Sequence, residues 1–543
     1  MKMNFNIAHT LADVALKRPD EIALVQGTGG RYCEYTFKEL HGRSALYKAA
    51  LQEQGVCPGQ RVMLMVPPSL EFVALTFALF SLGAPVILID PGMGYKNLLH
   101  CIGNVKPDVL IAIPKAHIFK FLFRKPFKTI QTNICVGNSL GFFGDTLTKI
   151  SASVKPDFEV FEAGKDDLAA IIFTTGSTGP PKGVQYSHGI FHAQLDLIRS
   201  YYKIGPGEVD QPAFPLFALF STALGAKAVL PEMNPAKPAQ VDPQKFIRSL
   251  IDHGVTYSFG SPAIWNVVSR YCLQENIVLP IRKILMAGAP VSGELVERVL
   301  EIMAPGGEVH TPYGATESLP ITSMSGAEIV NETWDKTQVG KGTCVGRPLP
   351  GITIEIMRTA SRPVLHYRQV AILPPWEIGE IIVKGPVVTR AYDHNPEENE
   401  AAKIQDGDSF WHRMGDVGYF DDKGRLWFCG RKSHRVLTSR GPLYTIPCEA
   451  IFNVHKDVRR TALVGVGPVG HQTPVLCVEC RHKCCNKERL AMELRALGLQ
   501  NEVTRKIDEI LFHPVFPVDI RHNAKIFREK LAVWAAKKLA GER

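Results

Sequence analysis

Residues 173–183 read Phe-Thr-Thr-Gly-Ser-Thr-Gly-Pro-Pro-Lys-Gly. Four hydroxyl side chains (Thr174, Thr175, Ser177, Thr178), two glycines (Gly176, Gly179) and Lys182 fall within nine positions. Glycines let backbone N–H groups converge on an anion, hydroxyls add donors, and a lysine supplies a mobile point charge. The run reads as a cradle for a polyphosphate, with a nucleoside triphosphate as its natural guest. It is not a Walker A loop, because Gly176 is followed five positions later by Pro181 where Gly-Lys-Ser/Thr would be needed. Nor does a third glycine fall where a dinucleotide fingerprint requires one. Pro180 and Pro181 stiffen the segment, unlike a flexible Ser/Thr/Gly linker.

Four further clusters follow in order. Ala287-Gly288-Ala289 could bring backbone against a flat base. Tyr313-Gly314-Ala315-Thr316-Glu317 combines an aromatic plate, a hydroxyl and a carboxylate suited to Mg²⁺. His412-Arg-Met-Gly-Asp416 with Gly430-Arg431 offers an acceptor and a fork donor fit for ribose hydroxyls, and Asn523-Ala-Lys525 stands near the carboxyl end.

Other groups invite a site and read better as packing. Cys477, Cys480, His482, Cys484 and Cys485 have zinc-like spacing, but Pro474–Cys480 reads as a strand, which sends Cys477 and Cys480 to opposite faces. Cys448 beside Glu449 has no histidine near in sequence and reads as a packed thiol. Trp411, Tyr419, Trp427 and Phe428 read as sheet core.

The elements that must hold these groups alternate. Apolar runs at Val62–Val66, Val86–Ile89, Val109–Ile113 and Ile171–Thr174 read as strands, and Thr36–Gln54 and Ser69–Leu82 as helices. Such alternation predicts an α/β fold with parallel sheets covered on both faces. Phe72–Ile89 is apolar enough to imitate a membrane span, but Gly83 and Pro85 divide it into a buried helix and a buried strand. Closely spaced strand and turn signals between Gly379 and Phe428 mark a β-rich portion, with a hairpin turn at Asp422-Lys-Gly424. After Arg431 the pattern becomes a short α+β unit ending in a basic helix, Ile526–Leu539, so a boundary is expected at Arg431–Ser433.

The chain has 543 residues, long enough for two or more domains, with 45% hydrophobic and 21% charged residues. A net charge of +9, without a dense basic stripe interleaved with aromatics, points away from nucleic acid. The amino terminus lacks the apolar core of a signal peptide, and twelve cysteines are scattered without a disulfide-like framework. A cytoplasmic location fits, with contact at a membrane surface left open.

The five ordered motifs resemble the adenylate-forming superfamily of acyl-CoA synthetases, luciferases and adenylation domains over essentially the whole chain. The resemblance implies a large N-terminal domain (1–431) of parallel-rich sheets covered by helices, with a β-rich subdomain, and a small hinged α+β domain (432–543). It also implies a first step in which a carboxylate attacks the α-phosphate of ATP. On that footing Thr174, Thr175, Gly176, Ser177, Thr178, Gly179 and Lys182 hold phosphates. Gly288, Ala289, Tyr313 and Gly314 meet the adenine, with Tyr313 stacking on it. Thr316 holds the α-phosphate, Glu317 holds Mg²⁺, Asp416 and Arg431 hold the ribose, and Lys525 swings in to bridge carboxylate and α-phosphate.

Phe214–Phe220, Thr311–Glu317, Met414–Phe420, Gly424–Lys432, Gly441–Thr445 and Asp519–Lys525 look most like the bacterial olefin β-lactone synthetase family. That likeness implies a 2-alkyl-3-hydroxy fatty acid as substrate, whose own 3-hydroxyl closes a lactone and expels AMP, and other enzymes of an olefin pathway as partners. Departures from acyl-CoA synthetases agree with it: Ala218 where histidine is usual, Met414 for threonine, Ser433 at the hinge, and no second glycine in Gly441–Glu449. An attached hydroxyl replaces an external nucleophile by proximity. The base for its proton is open between His188 and the leaving phosphate, with His188 also readable as a core or helix-start histidine. The main rival is a fatty acyl-CoA or acyl-AMP ligase.

Overall fold

The computed structural model describes residues 4–139, 141, 143–173, 180–214, 216–482, 486–518 and 526–541. A first sheet runs in the order Asp145–Thr146, Thr132–Cys135, Val109–Ala112, Val62–Met65, Val86–Leu88, Leu168–Phe173, Gly183–Ser187. Its pairs are parallel except the last, where Gly183–Ser187 returns antiparallel on Leu168–Phe173. Parallel strands need crossovers, and helices such as Leu70–Leu82 and Tyr95–Val105 supply them.

The helix Leu70–Leu82 is buried on nearly every side, which accounts for its apolar sequence. The Ser69 hydroxyl caps its start by accepting from the Phe72 N–H at 3.3 Å, and Gly83 ends it at φ +73°. A strand, Val86–Leu88, follows, so the apolar run divides where its glycine and proline predict. No described helix is long and apolar enough to cross a membrane.

The second sheet changes character along its width. Val209–Asp210, Lys227–Leu230, Tyr257–Gly260, Lys283–Met286 and Glu308–Ala315 pair in parallel. From Ser318–Ser325 onward, through Thr343–Pro348, Leu426–Arg431, Ser409–Phe420, Gly379–Lys384 and Thr353–Met357, the pairing is antiparallel. The β-rich portion is therefore continuous with the parallel core. Trp411, Tyr419 and Trp427 are buried in it, and the Tyr419 and Trp427 rings stack at 6.1 Å.

The smaller carboxyl-terminal portion has its own sheet, with Thr473–Cys480 between Val458–Val466 and Glu509–Phe512. Phe452, Leu463, Leu476 and Leu494 form its core. Glu449, inside this core, is neutralised by Arg528 at 2.5 Å, which ties the helix Arg528–Leu539 down. Contact with the larger domain is close: a Cβ on Gly340 (φ +87°) would stand 2.8 Å from Ile451 Cδ1. Cys448 is a buried thiol pushed up to about 12 by burial. Cys477 is buried and free, whereas Cys480 is disulfide-bonded. Cys484 and Cys485 lie outside the described residues.

Candidate active site

The cradle sequence lies between two paired strands whose register sets Phe173 opposite Gly183. Thr174, Thr175, Gly176, Ser177, Thr178 and Gly179 lie outside the described residues, as does Lys525. Lys182 is described: its Nζ is 2.6 Å from Glu398 Oε2 and 5.2 Å from the centre of the Tyr392 ring.

Tyr392 reaches this point because its segment docks along the strand that follows the cradle. Val184 bridges to Tyr392, the Asp393 N–H donates to the Gly183 carbonyl at 2.7 Å, and Gln185 N–H donates to Ala391. The Arg61 guanidinium forks onto both oxygens of Asp393, at 2.8 and 2.9 Å. Held so, Tyr392 donates from its phenol to Glu317 Oε1 at 2.8 Å. Burial, reinforced by the Glu317 charge, raises the Tyr392 phenol well above its usual range and keeps it a donor.

Glu317 occupies a two-residue turn with Thr316, between the antiparallel strands Glu308–Ala315 and Ser318–Ser325. Gly314 makes the turn possible: a Cβ there would lie 2.4 Å from the Ser318 carbonyl oxygen. Tyr186 donates to the Thr316 carbonyl at 2.5 Å, and Thr389 donates from N–H and hydroxyl to the Glu317 carbonyl at 2.9 and 3.0 Å. Long-range donors thus fix both turn residues.

Asp416 and Arg431, expected at the ribose, meet across two strands. Asp416 and Arg431 face each other in register, with Arg431 Nη1 3.0 Å from Asp416 Oδ1 and donating to the Met414 carbonyl at 3.2 Å. The Asp416 carboxylate raises the Arg431 guanidinium further. Tyr313 joins this pair, donating from Oη to Asp416 Oδ2 at 2.6 Å, with its ring tilted on Phe428 at 5.8 Å. The aromatic plate expected at Tyr313 thus has its phenol tied to Asp416. Gly288 and Ala289 lie in the loop just past the parallel strand Lys283–Met286, with Gly288 at φ +94°. Ligands of open α/β sheets bind at such carboxyl ends.

Lys403, which no motif marked, and His412, which opens the motif ending at Asp416, stand beside these. Lys403 Nζ donates to the Thr389 carbonyl, and burial pushes the amine down to about 7 against the opposing pull of Glu317. Lys403 pairs in register with His412, which is 2% exposed and whose Nδ1 has no hydrogen-bond partner among the described residues. Burial first, then Lys403, Lys182 and Arg431 push His412 well below its usual range. Lys182 and Arg431 bring two cations to this region, each beside a carboxylate, Glu398 and Asp416. A triphosphate fits this donor set, and the fixed Glu317 carboxylate fits a hard divalent cation.

His188 opens the helix His188–Tyr201, 1% exposed against Phe80, and burial pushes it down to about 4. It belongs to the core. The Phe217 and Phe259 rings stack at 3.7 Å.

Residues 11–393 match the family described as AMP-binding enzyme. An olefin beta-lactone synthetase of Stenotrophomonas maltophilia (strain K279a) is 42% identical over 98% of both chains. One of Xanthomonas campestris pv. campestris is 42% identical over 98% of this chain and 97% of its own. Among solved structures, the O-succinylbenzoate coenzyme A synthetase of Bacillus subtilis, in complex with ATP and magnesium ion, superposes with TM-score 0.75. It is 22% identical and covers 96% of this chain and 98% of its own.

Proposed function

Because the chain belongs to the AMP-binding enzyme family, and within it to the olefin β-lactone synthetases, we propose that it converts a 2-alkyl-3-hydroxyalkanoic acid to a β-lactone. It is an ATP-dependent, AMP-forming ligase acting on a small-molecule substrate. The observation that carries the substrate assignment is 42% identity, over 98% of this chain, to two olefin β-lactone synthetases.

In the first step a carboxylate oxygen attacks the α-phosphorus of ATP, and the bond to the β-phosphate oxygen breaks. Pyrophosphate leaves with the electron pair. In the second, the 3-hydroxyl oxygen attacks the acyl carbon, the bond to the AMP oxygen breaks, and the hydroxyl proton is released as AMP departs. The products are a four-membered lactone, AMP, pyrophosphate and a proton. An oxygen already tethered to the acyl group needs no second nucleophile site.

ATP and Mg²⁺ are the cofactors; Glu317 would hold the ion, which supplies charge neutralisation on the phosphates. Lys182 and the hydroxyls at 174–178 hold the β- and γ-phosphates, with Gly176 and Gly179 giving access to backbone N–H groups. Thr316 serves the α-phosphate. Tyr313, Gly314, Gly288 and Ala289 accommodate the adenine, and Asp416 with Arg431 the ribose hydroxyls. Lys525 comes from the small domain (432–543) as it turns on the large one (1–431), and neutralises charge developing at the α-phosphate. Replacing Lys525 with alanine should abolish pyrophosphate release and leave ATP binding largely in place. The enzyme works in the cytoplasm, among other enzymes of olefin formation.

Oxygen labelling tests the sequence of steps. With ¹⁸O in the substrate carboxylate, one label appears in the AMP phosphate; with ¹⁸O in the 3-hydroxyl, the label remains in the lactone ring. Carboxylate label absent from AMP would overturn the acyl-adenylate, and loss of the hydroxyl label would overturn intramolecular closure.

A further inference from the structure

The helix Pro114–Leu122 wears its apolar residues on the outside. Ala116 and His117 face the core, whereas Ile118, Phe121 and Leu122 are 46%, 64% and 67% exposed. Their spacing, i, i+3, i+4, puts them on one helix face, and Phe123 extends that face past the helix end. An amphipathic helix in a globular domain ordinarily turns such a stripe inward.

The ridge is shaped rather than frayed. Phe123 packs on Phe119 at 4.9 Å and stacks with Tyr95, itself exposed, at 6.4 Å, which joins the ridge to the start of the helix Tyr95–Val105. Phe119 packs in turn on the buried Phe127. Lys120 is tied to Asn133 at 2.5 Å, so the rotation of the helix is set.

A collar of one charge surrounds it. Between Tyr95 and Lys128 the chain carries seven lysines and arginines against Asp108 alone. Lys96, Lys115, Arg124, Lys125 and Lys128 are exposed, and the Arg124 guanidinium lies over the Phe121 ring at 4.7 Å. Asp108 accepts from the Arg61 N–H at 2.8 Å and is turned to the sheet rather than to the collar. Aromatic and aliphatic side chains ringed by cations match a bilayer interface, where acyl chains receive the apolar groups and anionic headgroups the basic ones. A protein partner or a second copy would need no such excess of one sign.

We propose that Ile118, Phe121, Leu122 and Phe123, with Lys115, Arg124, Lys125 and Lys128 around them, seat this protein on an anionic lipid bilayer without crossing it. This deepens the proposed function by naming how an enzyme for a water-insoluble hydroxy acid reaches its substrate. It is testable without turnover, so it stands or falls apart from lactone formation.

Flotation with vesicles decides it. The full chain should float with phosphatidylglycerol vesicles and not with phosphatidylcholine vesicles. Raising NaCl from about 50 mM to about 500 mM should release most of it, because headgroup attraction is screened. The double variant Phe121→Ser/Leu122→Ser should lose at least tenfold in partition, with unchanged thermal melting and unchanged pyrophosphate release on a short, water-soluble 3-hydroxy acid. Lys125→Glu/Lys128→Glu should lose a similar factor and respond less to salt. Absence of binding to phosphatidylglycerol, or serine variants that bind like the parent, would overturn the proposal. So would a dimer in lipid-free buffer that the serine variants dissociate, because the ridge would then belong to a second copy.

Discussion

The phenol of Tyr392 holds Glu317 Oε1 at 2.8 Å while its ring lies 5.2 Å from Lys182 Nζ. One side chain thus connects the carboxylate assigned to Mg²⁺ with the lysine assigned to the phosphates. Replacing Tyr392 with phenylalanine keeps the ring and removes the donor. Hydrogen bonds to charged groups contribute about 1.5–3 kcal/mol, so a loss of about tenfold or more in kcat/KM is expected. Pyrophosphate release, titrated against Mg²⁺, should show the loss with a raised Mg²⁺ requirement. An unchanged Mg²⁺ requirement would remove Tyr392 from the site.

Lys182 is engaged by Glu398 at 2.6 Å, in a pair whose side chains are 24% and 39% exposed. Such pairs stabilise by about 0–1 kcal/mol, so Glu398→Gln should change thermal stability little. If Lys182 holds a phosphate, it must share itself between that group and Glu398, and the variant should bind ATP a few-fold more tightly. A higher KM for ATP would show instead that Glu398 helps to place the lysine.

Asp416 is oriented from two sides, by Tyr313 at 2.6 Å and Arg431 at 3.0 Å. If its carboxylate serves the ribose, the parent enzyme discriminates against 2′- or 3′-deoxy-ATP and Asp416→Ala loses that discrimination. About tenfold in relative kcat/KM is expected from one charge-assisted hydrogen bond. Equal discrimination in parent and variant would remove the ribose from Asp416.

Much of this was legible in order and spacing, and some could not be. Tyr313, Thr316, Glu317, Asp416 and Arg431 sit in local motifs, and the structure gathers Asp416 and Arg431 through a strand pairing that joins residues 15 apart, and Tyr313 to them through a hydrogen bond that spans 103 residues. Tyr392, Glu398 and Lys403 carried no local signal, and His412 stood only as the first residue of the motif ending at Asp416, because their place depends on the bridge from Val184 to Tyr392 and on the pairing of Lys403 with His412. The one hint was a lysine and a histidine in otherwise strand-like sequence, and only burial gives those meaning. His188 failed as a base for the converse reason: its nearness to the cradle in sequence ends in the core against Phe80.

Away from the site, Asp210 is 1% exposed, accepts from the Ser221 hydroxyl at 2.5 Å and is pushed up to about 8 by burial. The native protein therefore holds a proton there that the unfolded chain releases near pH 4. Its contribution is fully present below about pH 4 and is lost as pH rises toward 8, at up to about 1.4 kcal/mol per pH unit. Asp210→Asn should flatten this part of the stability profile in denaturant melts between pH 4 and 8. A parallel decline in the variant would assign the slope to other groups.

The most direct measurement is the organic product itself. Purified protein with ATP, Mg²⁺ and a synthetic 2-alkyl-3-hydroxyalkanoic acid, without coenzyme A, should give one equivalent each of AMP and pyrophosphate and a β-lactone identified by NMR. An absolute requirement for coenzyme A, with a thioester as the product, would contradict the account.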